Sequence, residues 1–208
     1  MSDAAPSPAP TAPPSPPAPR RRSRRHLIRW VAGAVLAVLA AVGIVLATRT
    51  PQEATAVQTP LLGHQAPLFS GSDLVNGSHV DLAALRGHYV VINFFASWCE
   101  PCQQEAPDLS RFAYQQAHTS DGADMVSVVF HDTTSTARQF LVDNGDLWPA
   151  LSDPSGVIAN RYGVGSPPTT FVVSPSGRVT AVLVGPATTA NLDAFLKAAR
   201  NDQGGTNG

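Results

Sequence analysis

The chain has 208 residues, 43% of them hydrophobic and 14% charged, with a net charge of −1, which is enough for one folded domain plus appendages. The charge is uneven: residues 1–49 hold seven arginines against Asp3, a net +6, which leaves −7 on the rest, so the two halves are expected to meet different surroundings. Only two cysteines occur, and no second ligand pair at matching spacing accompanies them, so a structural zinc site is disfavoured.

Residues 1–29 read as a tail. Met1 to Pro19 is almost entirely Pro, Ala and Ser, with eight prolines and nothing to pack, and Arg20 to Arg29 adds six arginines. Residues 30–48 carry no charge and would be about 28 Å long as a helix, close to the thickness of the hydrocarbon core. Arginines flanking an apolar run mark the cytoplasmic side, so the predicted organisation is a transmembrane helix or signal anchor over 30–48 with its N-terminus inside the cell. Ser23-Arg24-Arg25 also suits a twin-arginine export signal, and Ala54-Thr55-Ala56 offers a cleavage site; the anchor is favoured because the run exceeds a usual signal core. Both readings place the C-terminal part of the chain outside the cytoplasm. Residues 49–60 read as a linker, 61–200 as a globular domain and 201–208 as a flexible tail.

Within 61–200, strand patterns are predicted at Tyr89–Phe95, Met125–Phe130, Thr169–Val173 and Arg178–Val184, the last two joined by the turn Ser174-Pro175-Ser176-Gly177. Helical patterns occur at Gln103–Ala117, Ser135–Asn144 and Thr188–Ala199, with Gly145 placed to end the second. Strands alternating with helices, then a hairpin and a last helix, predict an α/β fold: a mixed central sheet with helices on both faces. Pro107 lies inside the first helix and is expected to kink it.

Both cysteines fall between the first strand and the first helix, in Trp98-Cys99-Glu100-Pro101-Cys102. The thiolate is the reactive form of cysteine, and the unpaired N–H groups of a helix N-terminus stabilise an anion there. Cys99 is therefore the predicted attacking sulfur. Pro101 suits the first helical turn, and Cys102, one turn further in, is the better shielded resolving sulfur. A merely structural disulfide is disfavoured, because a loop closed over so few residues adds little stability.

These residues, together with Ala66-Pro67-Leu68-Phe69, Val80-Asp81-Leu82, Leu85-Arg86-Gly87, Asp153-Pro154, Tyr162-Gly163-Val164 and Pro168-Thr169-Thr170-Phe171, resemble in order and spacing the TlpA/ResA-type membrane-anchored thioredoxin-like proteins. Those proteins are thiol–disulfide oxidoreductases related to the thioredoxins of cytochrome c maturation. The resemblance spans about residues 61–200. It implies a thioredoxin fold, a cis peptide before Pro168 beside the cysteines, and Glu105 as the group that takes the proton of Cys102. It also implies no cofactor beyond the redox-active Cys99–Cys102 disulfide and no metal.

Trp98, Glu100, Pro101, Pro167 and Thr169 are expected to meet the substrate, with Trp98 packed against the redox site. Two departures from thioredoxin stand out. Pro167 lacks the N–H that would bond a substrate strand, and Asn93 replaces a buried acid. Glu100 beside Cys99 opposes its thiolate and favours a reductant. The expected partners are exported thiol or disulfide proteins, with apocytochrome c a candidate, and a membrane thiol carrier supplying electrons. A disulfide-forming oxidase of the same fold and a copper-carrying chaperone using His131 are the alternatives.

Overall fold

The computed structural model describes residues 22–47, 54–145 and 148–204, in two compact units divided after Pro51. The first unit contains helix α1, Arg22–Ala47, whose side chains are described and exposed over 28–44. Among the described residues no helix is long and apolar enough to cross a membrane, so the expected spanning segment 30–48 is not shown by the structure. The tail before Arg22, residues 48–53 and residues 205–208 lie outside the described residues.

The second unit runs β1 Thr55–Ala56, β2 Ser70–Ser72, β3 His79–Asp81, a short 3-10 turn Leu82–Leu85, β4 Val90–Phe95, α2 Glu100–Ala117, β5 Asp124–Phe130, α3 Thr134–Asn144, β6 Ala150–Asp153, α4 Val157–Tyr162, β7 Thr169–Val173, β8 Val179–Val184 and α5 Thr189–Gly204. The main sheet has the order β1-β8-β7-β4-β5-β6. β4 pairs in parallel with β5 and antiparallel with β7, so the sheet is mixed, as predicted. β2 and β3 form a separate hairpin. β1 lies within the stretch read as a linker, and its Thr55 and Ala56 pair with Val184 and Leu183 at the sheet edge.

β4 is buried along its whole length, which explains why its sequence is continuously apolar rather than alternating. Successive side chains still point to opposite faces. Ile92 and Phe94 join a core with Val128, Phe130, Tyr162 and Phe171. Val91 faces the other way, into a core with Leu109 and Phe112 of α2 and Leu192 and Leu196 of α5. Asn93 shares that second face, and it is the one polar side chain on the central strand. A third cluster, with Phe95, Ala96, Val129, Ala137 and Leu141, closes round the two cysteines at the C-terminal end of β4.

The short elements β6 and α4 escaped the sequence patterns. Asp153 organises both: its backbone pairs in the sheet opposite Phe130, and its carboxylate accepts from Ala159 N at 2.9 Å in the first turn of α4. Pro107 does lie inside α2, so the carbonyl four residues earlier, that of Gln103, has no helical donor.

Candidate active site

β4 ends at Phe95, and Ala96, Ser97 and Trp98 turn the chain into α2 with Cys99 as its N-cap. The helix begins three residues earlier than its pattern predicted because Glu100 and Pro101 are acceptable in a first turn, where no intrahelical N–H bond is needed. Cys99 and Cys102 are joined by a disulfide with S–S 2.09 Å and Cα atoms 5.2 Å apart. The Cys99 sulfur also accepts from Cys102 N–H at 3.2 Å, so the helix N-terminus points a donor at that sulfur. Cys99 is 4% and Cys102 2% exposed. The expected difference in shielding is therefore slight in the disulfide state.

Trp98 does not pack down on the cysteines as expected. It is 60% exposed, and its Nε1 donates to the carbonyl of His131 at 3.0 Å. Ser97 N donates to Asp132 Oδ2 at 2.7 Å, while Gln103 Nε2 donates to Ser97 O at 2.8 Å. The active-site loop is thus tied to the corner after β5. Asp132 also accepts from Thr133 N and from the Thr136 hydroxyl, each at 2.7 Å. Partial burial pushes the Asp132 pKa up, but the bonds from Thr136, Ser97 and Thr133 outweigh it and hold the carboxyl below its usual range. The sequence reading missed Asp132; an Asp at a strand-to-helix corner was the available signal.

Glu105 is buried, at 2% exposure, not a solvated helix-surface charge. Its Oε1 accepts from Asn93 Nδ2 at 2.9 Å and its Oε2 from Ala187 N at 2.7 Å. Burial pushes its pKa up to about 7, against the lowering effect of those two bonds. Asn93 Nδ2 donates in addition to Thr170 Oγ1 at 3.1 Å. Asn93 therefore holds a carboxyl that can exchange a proton near neutral pH, three residues beyond Cys102 on the same helix.

The Pro167–Pro168 bond is cis. Phe94 pairs with Thr169 in the antiparallel register, so Pro168 lies one step further along, beside the end of β4 that leads to the cysteines. Pro168 is buried and its carbonyl accepts from Gly185 N at 3.0 Å. Pro167 is half-buried and offers only a carbonyl. Thr169 was expected to touch substrate, but it is buried with its hydroxyl donating to Ser166 O at 2.9 Å, and so supports the loop from beneath. Glu100 is exposed and Pro101 half-exposed at the rim.

No group of three or more His, Cys, Asp or Glu side chains among the described residues is placed to hold a metal ion. The His131 ring sits against Phe130, with centroids 5.3 Å apart, and beside Gly156, where an added Cβ would lie 2.8 Å from its Nε2. That contact directs it toward the α4 end of the sheet.

The arrangement can carry out dithiol–disulfide exchange: two sulfurs in one small loop, a donor aimed at the first, and a buried acid of near-neutral pKa behind the second. Comparison with known proteins agrees. The model of the AhpC/TSA family matches residues 62–182. The thiol-disulfide oxidoreductase ResA of Geobacillus kaustophilus is 30% identical over 162 residues, covering 78% of this chain and 90% of its own. A thiol:disulfide interchange protein of the thioredoxin family from Chlorobium tepidum superposes with TM-score 0.59 at 30% identity, covering 69% of this chain and 99% of its own. A secreted Mycobacterium tuberculosis disulfide oxidoreductase homologous to E. coli DsbE gives TM-score 0.55 at 26% identity, over 62% of this chain and 95% of that one. The chain belongs to the AhpC/TSA family, as a thioredoxin-like thiol–disulfide oxidoreductase of the ResA type.

Proposed function

We propose that this protein reduces disulfides in exported proteins outside the cytoplasm, with apocytochrome c as a candidate substrate. The observation that carries the reading is the Cys99–Cys102 pair at the α2 N-terminus with Glu105 buried one turn behind it. In the dithiol state the Cys99 thiolate attacks a substrate disulfide, forming a mixed disulfide and releasing one substrate thiolate. Glu105 takes the proton of Cys102. The new thiolate attacks the Cys99 sulfur and releases the second substrate thiolate, leaving the substrate reduced by two electrons and the protein as its disulfide. A thiol carrier in the membrane then restores the dithiol.

The exposed Trp98 and Glu100 and the half-exposed Pro101 form the surface a substrate meets, and the Pro167 carbonyl is the backbone group offered beside it. Glu100, exposed next to Cys99, disfavours the thiolate and so favours a reductant over an oxidant. Export rests on the arginines of 20–29 followed by the uncharged stretch to residue 48, retained as an anchor or removed as a signal. The similar M. tuberculosis protein is described as secreted.

The test is trapping. A Cys102→Ser variant, reduced and offered a peptide with a CxxCH disulfide, should accumulate a dithiothreitol-sensitive mixed disulfide on Cys99, and Cys99→Ser should not. Trapping on Cys102 instead would overturn the assignment of the attacking sulfur.

A further inference from the structure

Behind Cys102, between α2 and the sheet, lies a cavity with about 10 Å³ of room for a water's centre, lined by Asn93, Cys102, Glu105 and Ser127 among others. That is space for about one water molecule. Asn93 and Ser127 are direct register partners on β4 and β5, so their side chains leave the same face of the sheet side by side. Asn93 Nδ2 is committed to Glu105 on α2 and to Thr170 on the β7 side. Its Oδ1 consequently faces β5. This oxygen is buried and has no hydrogen-bond partner among the described residues, a situation that costs about 1–3 kcal/mol unless a donor is supplied.

Ser127 presents the matching need. Its Oγ accepts from Trp148 Nε1 at 2.8 Å, so its own proton must be directed elsewhere, and no acceptor for it stands among the described residues. Asn93, with its unpaired acceptor, and Ser127, with its undirected hydroxyl proton, thus line one water-sized space.

We propose that this cavity binds one structural water, which accepts from the Ser127 hydroxyl, donates to Asn93 Oδ1, and keeps a proton and a lone pair for Cys102 and Glu105. Ser127 is then a positioning residue for the redox reaction. In the dithiol state the water takes the Cys102 thiol proton as it passes one of its own to the Glu105 carboxylate; one S–H bond is broken, one O–H bond is formed and the water is regenerated. In the thiolate state the same water donates to Cys102 Sγ and lowers its pKa.

The titratable groups lining the cavity are Cys102 and Glu105, both on α2. β4 contributes Asn93 and Phe95, β5 Ser127, α3 Phe140 and the loop before β6 Trp148, none of them charged. Glu100 and Asp132 are the remaining charges of the active site, and a change at Ser127 leaves both in place.

The role of the water in proton transfer rests on the assignment of Glu105 as proton acceptor, and the experiment separates the two. The full-length protein is crystallised, and the Cys102 thiol is titrated by alkylation against pH in parent, Ser127→Ala and Glu105→Gln. The expected result is an ordered water within hydrogen-bond distance of both Asn93 Oδ1 and Ser127 Oγ, and a Cys102 titration raised by about one pH unit in Ser127→Ala, the tenfold effect of one hydrogen bond to a charged group. A dry cavity, or a water touching neither oxygen, overturns the proposal, and this observation needs no variant to fold. An unshifted titration in Ser127→Ala overturns the positioning role. If Glu105→Gln alone shifts the titration, the positioning role of Ser127 fails and the Glu105 assignment stands; if Ser127→Ala alone does, the positioning role stands and Glu105 is not the acceptor.

Discussion

Replacing Glu105 with Gln should flatten the pH dependence of folding stability. Glu105 has an ordinary pKa of 4.5 and a folded value of about 7, raised chiefly by burial. For a carboxyl whose folded pKa is raised, the folded state binds the proton more tightly, so its stabilising effect is complete below the unfolded pKa and is lost as pH rises through the folded one. At 1.36 kcal/mol per pH unit the full swing is about 3 kcal/mol, and roughly 2 to 3 kcal/mol of it falls between pH 5 and 8. Gln cannot ionise. It keeps one acceptor for the two donors, Asn93 Nδ2 and Ala187 N, which costs about 1–3 kcal/mol at every pH. Urea unfolding of the oxidised proteins, whose bonded cysteines do not titrate, should show Glu105→Gln less stable than the parent at pH 5 and the gap closing or reversing by pH 8. Parallel stability curves for the two proteins would refute the argument that Glu105 is buried with a near-neutral pKa.

Three further changes are predicted. Asp132→Ala removes the acceptor for Ser97 N and for the first turn of α3, and should cost about 1–3 kcal/mol at neutral pH by chemical denaturation; because the Asp132 pKa is lowered on folding, parent and variant should converge as acid protonates it. Pro167→Ala restores an N–H beside the cysteines and should increase the yield of mixed disulfide trapped by Cys102→Ser, measured on non-reducing gels; an unchanged yield would show that this donor plays no part in docking. Tyr162→Phe removes the hydroxyl that donates to Pro67 O at 2.9 Å and should lower stability by about 1 kcal/mol without altering the exchange rate, since the ring stays in the core with Phe94 and Phe171.

The central architecture was legible because the longer strands carry dense apolar runs: Thr169–Val173 matches its prediction residue for residue, and β4, β5 and β8 differ by one residue at their starts. β6 and α4 were not, since four and six residues hold too little periodicity, and what defines them is Asp153 reaching Ala159 and pairing opposite Phe130. The cysteine pair could be read from spacing alone. The burial of Glu105 could not, because it depends on Asn93 from another strand and on Ala187, 82 residues away. Asp132 and Trp98 tell the same story: the loop before Cys99 is held by a corner about 35 residues downstream, a contact that no local pattern encodes.

The most direct test of the account is the reduction potential of the Cys99–Cys102 pair, measured by equilibrating the protein in glutathione or dithiothreitol buffers. A reductant fed through a membrane thiol carrier should lie near or below thioredoxin's value of about −270 mV. A value near DsbA's, about −120 mV, would mean that the protein forms disulfides and would contradict the proposed direction of electron flow.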